Sequence, residues 1–462
     1  MNPFLNPYFL SKATKSYLID RDRIWRMNDE SLERFRDKQF RRIFKYAYSI
    51  PMYHEIYKKA GIHPNDITEI DDVSKLPFIT KNDIRKNFPD NIIPPNFDKK
   101  GKPIISYTSG TTGEPVSLYF DMYTIVKGLL GYIRVIKEHN VDWRKTRMTV
   151  LVDLCENSVE RNYLTDGIIP ILKPIFSFEN MQIFDTYGEA EDLIKKINNH
   201  NPEFLGGYPG MLRQLAILKK EGRGDNIQPR VIISSGAVLD IYLKKFLEEI
   251  FETPVFDAYG SMESGPAAFQ CKQKGYHIHS DLVHLEIIDD DGEPVSPGKA
   301  GKIIVTRLYG SGTPIIRYNG LDDIVTSSDD TCDCGISGGL IGKVHGRENQ
   351  SLYLPNGRVL LPSSLSRFFG EISEKINITK LKRSQLIQHK INKLEMVTLI
   401  NNDLRNTKPS LEEIFSTIRK EFKAKYGSDI DIEFSETDYF EPHIPGIVSK
   451  IDKSKIKKKI YV

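Results

Sequence analysis

The sequence SYTSGTTGEP, residues 106–115, lies between two short runs typical of β-strands, residues 102–106 and 116–120. Within it, residues 108–113 supply four hydroxyl groups and two glycines. The backbone N–H groups of such a loop can turn inward around an anion, and the hydroxyl groups add further donors. The stretch therefore predicts a hairpin-like loop that binds phosphate, the alternative being a solvated flexible loop.

This pattern differs from a Walker A loop, because Gly-x4-Gly-Lys-[Ser/Thr] is absent and a strand follows where a helix should begin. It resembles the [Ser/Thr]-Ser-Gly-Thr-Thr-Gly-x-Pro loop of the adenylate-forming superfamily, which includes acyl-CoA ligases, adenylation domains and luciferase. The resemblance implies that the loop holds the β- and γ-phosphates of ATP, with Thr108 also counted as catalytic. The loop residues implied are Thr108, Ser109, Gly110, Thr111, Thr112 and Gly113.

Composition limits the class of protein. A chain of 462 residues is long enough for two or three domains. Its 65 basic and 62 acidic residues nearly balance, which indicates neither a nucleic-acid nor a membrane partner. The amino end lacks the pattern of a secretory signal, and no run approaches the roughly 20 apolar residues of a membrane helix. With only four cysteines, the chain is expected in a reducing cytoplasm.

Two segments near the amino end narrow the resemblance. Residues 50–53, Ile-Pro-Met-Tyr, interrupt an amphipathic helical pattern, and residues 76–81 read Leu-Pro-Phe-Ile-Thr-Lys, with Thr80 placed to cap a short helix. Both segments are similar to the phenylacetate–CoA ligase branch of the superfamily, which includes capsule-biosynthesis-type relatives.

Strand-like and helical runs alternate between residues 120 and 260. Residues 149–152, 168–171, 204–205 and 230–233 have strand patterns, whereas residues 187–198 and 211–220 have helical ones. This alternation predicts an α/β fold with largely parallel sheets. The resemblance implies a large ATP- and carboxylate-binding domain over residues 1–345 and a small, mobile α+β lid over residues 346–462.

Two strand-to-glycine-turn units follow, and ligands of open α/β sheets gather at such strand ends. By resemblance, the units contribute the nucleotide-binding residues Ser235, Gly236, Ala237, Asp257, Ala258, Tyr259, Gly260 and Ser261. Tyr208, Gly236 and Gly260 are the expected lining of the substrate pocket.

Adenylation brings a carboxylate against the α-phosphorus of ATP, so the protein has to supply cations and N–H donors. Glu263 is the candidate magnesium ligand and Tyr259 could stack on adenine. The string Tyr259 to Glu263 resembles the Tyr-Gly-x-Thr-Glu of the superfamily, with Met262 in place of threonine. The alternative is that Tyr259 is a core aromatic residue and Glu263 a surface charge.

Three later motifs complete the resemblance. Residues 317–322 fit Arg-Tyr-x-x-x-Asp, which implies that Asp322 binds ribose, with Asp323 as the fallback. Residues 346–349 resemble Gly-Arg-x-Asp, so Arg347 is expected at the nucleotide and Asn349 replaces the acidic hinge residue. Lys450 occupies the position of a catalytic lysine and follows Ser449 where relatives have glycine.

The cysteines and a histidine predict a separate metal site. Cys271, His277, Cys332 and Cys334 form the ligand set of a closed structural zinc site, with His279 as the rival ligand. The Cys-x-Cys spacing is tighter than the usual Cys-x2-Cys. A comparable set occurs in some phenylacetate–CoA ligase-like proteins, whereas Cys155 is expected to be a core thiol.

Together these residues predict an AMP-forming ligase that uses ATP and Mg²⁺, contains a structural zinc ion and transfers an acyl group to coenzyme A. Glu114 stands where phenylacetate–CoA ligases usually have lysine, so transfer to an amine or hydroxyl in polysaccharide or secondary-metabolite biosynthesis is an alternative. A non-catalytic, zinc-stabilised binding protein is another. The resemblance also favours a homodimer.

Overall fold

The computed structural model describes residues 3–97, 103–107, 115–156, 158–441, 444–452 and 460–461. The chain divides into two compact units. The first contains residues 1–237, 247–321 and 325–343, and the second contains residues 238–246, 322–324 and 344–462. Asp322 thus groups with the carboxyl-terminal segment, whereas the assignment of nucleotide and lid roles to residues 1–345 and 346–462 stays a prediction.

The α-helices of the described residues are α1 (Pro7–Ile19), α2 (Arg23–Arg26), α3 (Asp29–Tyr48), α4 (Pro51–Lys59), α5 (Lys81–Asn87), α6 (Met122–Glu138), α7 (Ile169–Leu172), α8 (Ala190–His200), α9 (Pro209–Lys220), α10 (Ile241–Phe251), α11 (Pro362–Lys375) and α12 (Leu411–Tyr426).

The β-strands of the same residues are β1 (Ile104–Tyr107), β2 (Ser117–Phe120), β3 (Met148–Val152), β4 (Met181–Asp185), β5 (Phe204–Gly207), β6 (Val231–Ser235), β7 (Val255–Ser261), β8 (Gly265–Gln270), β9 (Tyr276–Ile278), β10 (Val283–Ile288), β11 (Ala300–Arg307), β12 (Asp323–Ser327), β13 (Leu340–Arg347), β14 (Leu352–Tyr353), β15 (Arg358–Leu360), β16 (Leu381–Lys390), β17 (Lys393–Ile400), β18 (Asp431–Thr437), β19 (Ile447–Ser449) and β20 (Ile460–Tyr461).

The main sheet has eleven strands in the order β10-β11-β12-β13-β9-β8-β7-β6-β5-β3-β4. Strands β4, β3, β5, β6 and β7 run parallel to one another. Strand β8 then pairs antiparallel with β7, and β9 pairs antiparallel with β8. Every residue of β5 is buried, as expected of a parallel strand covered on both faces. The carboxyl ends of β3, β5, β6 and β7 therefore meet at one edge of the sheet.

The second unit is built around a four-stranded sheet in the order β18-β17-β16-β19. Helix α12 begins with a capping box in which the side chain of Ser410 accepts from the N–H of Glu413 and the Glu413 carboxylate accepts from the N–H of Ser410. Phe422 of α12 packs edge-on against Phe368 of α11, with ring centroids 5.2 Å apart. These contacts give the unit an apolar core of its own.

The predicted α/β fold with a small α+β unit is confirmed. Thr80 caps α5 with its side chain, as predicted. The strand predicted over residues 168–171 is wrong, because the segment forms the end of a π-helix, Arg161–Ile168, followed by α7. Pro170 is the second residue of α7. No helix of the described residues is long and apolar enough to cross a membrane.

Candidate functional site

The two strands that flank the Thr/Ser/Gly loop pair antiparallel, with Tyr107 opposite Ser117 and Ile104 opposite Phe120. This pairing agrees with the predicted hairpin. The loop residues predicted to bind phosphate, Thr108, Ser109, Gly110, Thr111, Thr112 and Gly113, lie outside the described residues, as does Glu114.

The predicted pocket residues Tyr208 and Gly236 are in contact. Tyr208 follows β5 and precedes α9, and Gly236 follows β6 with a φ of +86°. A Cβ atom added to Gly236 would lie 2.5 Å from the Tyr208 ring, so only glycine lets the ring pack on this turn. Ser235 ends β6, and Ala237 follows Gly236 at the same edge of the sheet.

The second unit predicted to be a strand followed by a glycine turn, residues 257–261, is instead continuous strand. Asp257, Ala258, Tyr259, Gly260 and Ser261 are all strand residues of β7, which continues through the glycine and pairs with β8. The Asp257 carboxylate accepts a hydrogen bond from the hydroxyl of Tyr276 at 3.0 Å. Gly260 leaves room for the Tyr132 hydroxyl, which lies 3.2 Å from where a Cβ atom would stand.

Glu263 lies in the turn between β7 and β8, and it is buried rather than a surface charge, with 4% relative exposure. The hydroxyl of Tyr318 donates to its Oε1 at 3.3 Å, and the buried guanidinium of Arg307 donates to its backbone carbonyl at 3.2 Å. Met262, which replaces the threonine of the superfamily, is buried as well. Because burial removes water from this carboxylate, it is a suitable ligand for a cation.

In the second unit, the predicted ribose-binding residue Asp322 and the predicted hinge residue Asn349 are joined by a hydrogen bond. The Asn349 amide donates to Asp322 Oδ2 at 3.0 Å, and the N–H of Glu348 donates to the Asp322 carbonyl at 2.7 Å. Asp322 has a φ of +62°, a conformation that few non-glycine residues adopt. Asp323 is the first residue of β12 and Arg347 is the last of β13. The asparagine that replaces the acidic hinge residue thus orients the Asp322 carboxylate.

Lys450 directly follows β19, and its backbone is fixed by β16. Its N–H donates to the Gln388 carbonyl at 2.8 Å, and the Ser449 hydroxyl donates to Gln388 Oε1 at 2.8 Å. Gln388 is fully buried, and its amide also donates to the Tyr353 carbonyl at 2.6 Å. The Lys450 side chain is exposed, so a fixed backbone presents a solvated ammonium group.

The four predicted zinc ligands come together in the first unit. The ligand atoms of Cys271, His277, Cys332 and Cys334 all lie within 4.8 Å of one another. The sulfurs of Cys271 and Cys332 are 3.6 Å apart, and tetrahedral zinc with Zn–S distances of about 2.3 Å places its sulfurs about 3.8 Å apart. Burial lowers the pKa of His277 to about 4, which keeps the imidazole neutral as a metal ligand must be.

Gly275 leaves the space that this cluster needs. A Cβ atom there would lie 2.9 Å from the Cys332 sulfur and 3.1 Å from His277 Nε2. His279, the rival ligand, lies outside the cluster, because its ring packs against Phe269 and faces the Arg134 guanidinium at 3.4 Å. The residues present therefore fit a zinc ion with His277 as the fourth ligand.

Cys155 is partly exposed rather than a core thiol, so that expectation was wrong. It follows the end of β3, and its N–H donates to the Asp153 carboxylate at 2.9 Å. Burial and the charge of Asp153 raise the pKa of the Cys155 thiol to about 11, so the thiol stays protonated.

Two candidate functional residues carry no sequence motif. Glu160 accepts a hydrogen bond from the predicted pocket residue Tyr208, with 2.8 Å between the Tyr208 hydroxyl and Glu160 Oε1. Gln388 joins three strands beside Lys450. Neither residue could be singled out from the chain, because Tyr208 is 48 residues from Glu160, and Tyr353 and Ser449 are 35 and 61 residues from Gln388.

Sequence comparison identifies relatives of this chain. The AMP-binding enzyme family matches residues 180–309. Protein CapK of Staphylococcus aureus is 24% identical over 95% of this chain and 92% of its own length. Phenylacetate-coenzyme A ligases of Pseudomonas putida and Thermus thermophilus are 25% and 23% identical, over 64% and 70% of this chain and 67% and 72% of their own lengths.

Structural comparison supports the same fold. The crystal structure of a 2-hydroxyisobutyryl-CoA ligase in its postadenylation state, in complex with an acyl-AMP, matches 93% of this chain and 90% of its own chain. Its TM-score is 0.71 and its sequence identity is 14%. Together with the relatives, this match confirms the predicted resemblance to the adenylate-forming superfamily and its phenylacetate–CoA ligase-like branch. The predicted enzyme class, an AMP-forming ligase, is confirmed as well.

Proposed function

We propose that this AMP-forming ligase activates a carboxylic acid with ATP and then transfers the acyl group to the thiol of coenzyme A. In the first step a carboxylate oxygen attacks the α-phosphorus, acyl-AMP forms and pyrophosphate leaves. In the second step the thiol sulfur attacks the acyl carbon, loses its proton and displaces AMP. The observation that carries the proposal is the buried carboxylate of Glu263 beyond the end of β7, which accepts from the Tyr318 hydroxyl while Arg307 holds the Glu263 backbone carbonyl.

Each motif residue has a chemical role in the first step. Glu263 would hold Mg²⁺, which would neutralise charge on the triphosphate. The Asp322 carboxylate, oriented by Asn349, would accept hydrogen bonds from the ribose hydroxyls. Arg347 would reach nucleotide oxygens, and the ammonium of Lys450 would lie between the acid carboxylate and the α-phosphate.

The lid role of the carboxyl-terminal residues stays a prediction, as do the homodimer and the cytoplasmic location.

The zinc ion would have no part in the reaction. Cys271 directly follows β8, His277 lies in β9, and Cys332 and Cys334 precede β13, so zinc would tie together segments distant in the sequence.

The acyl acceptor has a second candidate. The CapK relative spans 95% of this chain, whereas the two phenylacetate-coenzyme A ligases cover 64% and 70%. Because the relative that covers more of this chain is not named for a CoA ligase activity, an amine or hydroxyl acceptor should be tested beside CoA. The acyl-AMP formed from an active acid should be offered to CoA, amines and sugar hydroxyls, and the product identified by mass spectrometry.

The test of the first step is ATP–pyrophosphate exchange across aryl, fatty, amino and sugar acids. We expect exchange with at least one class, and a loss of about 100-fold or more in Lys450→Ala, because that ammonium stabilises developing charge. Lys393→Ala, an exposed lysine of the same unit, is the matched control. Absence of exchange with every acid would instead support the non-catalytic binding protein, and exchange unchanged in Lys450→Ala would overturn the role of Lys450.

A further inference from the structure

Three residues that follow adjacent parallel strands converge at one place. Glu160 follows β3, Tyr208 follows β5 and Gly236 follows β6. The Tyr208 ring packs on Gly236, and its hydroxyl donates to Glu160 Oε1 at 2.8 Å. In open α/β sheets this carboxyl edge is where ligands bind, so Glu160 lies beside the expected position of the acyl group.

The Glu160 carboxylate lies near another acidic residue, Asp153, and has no ion pair among the described residues. Within the part of the chain that the structure describes, no salt bridge to Glu160 is found, and the Tyr208 hydroxyl donates to its side chain. Burial raises the pKa of Glu160 and the charge of Asp153 adds to this rise, whereas hydrogen bonds from its own backbone N–H and from Tyr208 oppose it. A carboxylate so placed is incompletely compensated for its loss of water.

Further negative charge surrounds the same strand ends. Asp153 follows β3 and Asp185 ends β4. Burial, followed by the charges of these two residues and Glu160, raises the pKa of the Tyr187 hydroxyl. Arg161, which is next to Glu160 in the sequence, is paired with Asp166 at 3.0 Å. The electrostatic field at this edge therefore favours a group that donates hydrogen bonds or carries positive charge.

We propose that Glu160 recognises a hydrogen-bond donor on the acyl group, so that the acid activated here carries an amino or hydroxyl substituent, the charged amino group being preferred. This inference rests on the proposed function. An acid with a plain alkyl or aryl tail would offer the Glu160 carboxylate no donor beyond those that the protein already supplies, such as the Tyr208 hydroxyl. Sites built around a buried polar group reject ligands that lack the matching group far more strongly than apolar sites discriminate by size.

The test compares acids that differ in one substituent in the exchange assay. Suitable sets are hexanoate, 6-hydroxyhexanoate and 6-aminohexanoate; propionate, lactate and alanine; and phenylacetate, 4-hydroxyphenylacetate and 4-(aminomethyl)phenylacetate. We expect the substituted members of at least one set to exceed the plain member by about ten-fold or more in kcat/KM. A stronger effect of the amino member would identify a cationic substrate, and equal effects would identify a hydrogen-bond donor of either kind.

Four variants assign that preference to one side chain. Glu160→Leu should abolish the preference for substituted acids. Glu160→Gln should keep the preference for hydroxyl-substituted acids and lose the preference for amino-substituted acids. Tyr208→Phe should keep both preferences, because the Glu160 carboxylate remains. Glu179→Gln, an exposed position, is the control for charge. If Glu160→Leu fails to fold, the near-isosteric Glu160→Gln decides.

Two outcomes would overturn the inference, and they have different meanings. Exchange that is fastest with plain acids, or a preference that survives in folded Glu160→Leu, would overturn the role of Glu160 and leave the proposed function standing. No exchange with any acid by the unchanged protein would overturn both.

Discussion

The buried amide of Gln388 accepts a hydrogen bond from the Ser449 hydroxyl at 2.8 Å, one residue before Lys450. The Gln388 carbonyl also accepts from the Lys450 N–H at 2.8 Å. Side chain and backbone of one residue thus fix the two positions that end the β19 strand. A glycine at 449, as in the superfamily pattern, could make only the backbone contact, so the serine adds a constraint on the lysine.

We predict that Gln388 acts on adenylation through Lys450. Ser449→Ala removes one hydrogen bond and should lower exchange about five-fold, equivalent to about 1 kcal/mol. Gln388→Met also leaves the Tyr353 backbone groups unpaired and should cost more. The decisive measurement is a double-mutant cycle, because in a Lys450→Ala background Gln388→Met should cause little further loss. Full additivity of the two losses would show that Gln388 only stabilises the fold.

The zinc site gives a prediction that needs no substrate. The purified protein should contain one zinc ion per chain by elemental analysis, and Cys332→Ser should lower both the zinc content and the thermal unfolding temperature. Cys155→Ser is the matched control, because Cys155 lies outside the ligand cluster. A zinc content near zero in protein prepared without chelator, with unchanged stability in Cys332→Ser, would contradict the assignment.

Site residues were predictable from the sequence where the residues that act together are close in the sequence. The four zinc ligands were predictable because each pair is local, but His277 and His279 could not be separated. Both lie on one face of an extended segment, and only the end of β9 at Ile278 directs His279 toward Arg134 instead.

Secondary-structure elements, like site residues, are predictable where a long sequence pattern specifies them. Helix α12 has a long amphipathic pattern, and a pattern of that length specifies one buried face. Residues 168–171 were misassigned because a short apolar run fits a buried strand or a helix equally well. Glu160 was missed because a single glutamate has no pattern, and its partner Tyr208 is brought to it only by the order of the parallel strands.

The contact between Gly236 and Tyr208 predicts the effect of one methyl group. Gly236→Ala places a Cβ atom 2.5 Å from the Tyr208 ring on a backbone with φ of +86°. The ring has to move, so we expect a higher KM for the acid with a smaller change in the KM for ATP. Gly210→Ala is the control, because a Cβ atom at Gly210 meets no atom within 4 Å. Equal changes in both KM values would indicate general unfolding of this edge instead.

The last prediction concerns acid stability of the first unit. The Asp22 side chain accepts hydrogen bonds from Arg21 at 3.0 Å and from Lys137 at 2.5 Å. Burial raises the pKa of Asp22, but these bonds outweigh it and lower the pKa to about 2. A pKa below the unfolded value of 3.8 means that the stabilisation is fully present above pH 3.8 and is lost as the pH falls toward 2.

Asp22→Asn should therefore destabilise the protein by about 2 kcal/mol at neutral pH, and by less at about pH 3, where the unchanged protein has already lost part of this term. Both tryptophans, Trp25 and Trp143, belong to the first unit, so their fluorescence during denaturant unfolding reports on the unit that contains Asp22. Asp225→Asn, at an exposed position, controls for the loss of a charge. A destabilisation by Asp22→Asn that is the same at both pH values would show that the ion pairs with Arg21 and Lys137 contribute no pH-dependent stability.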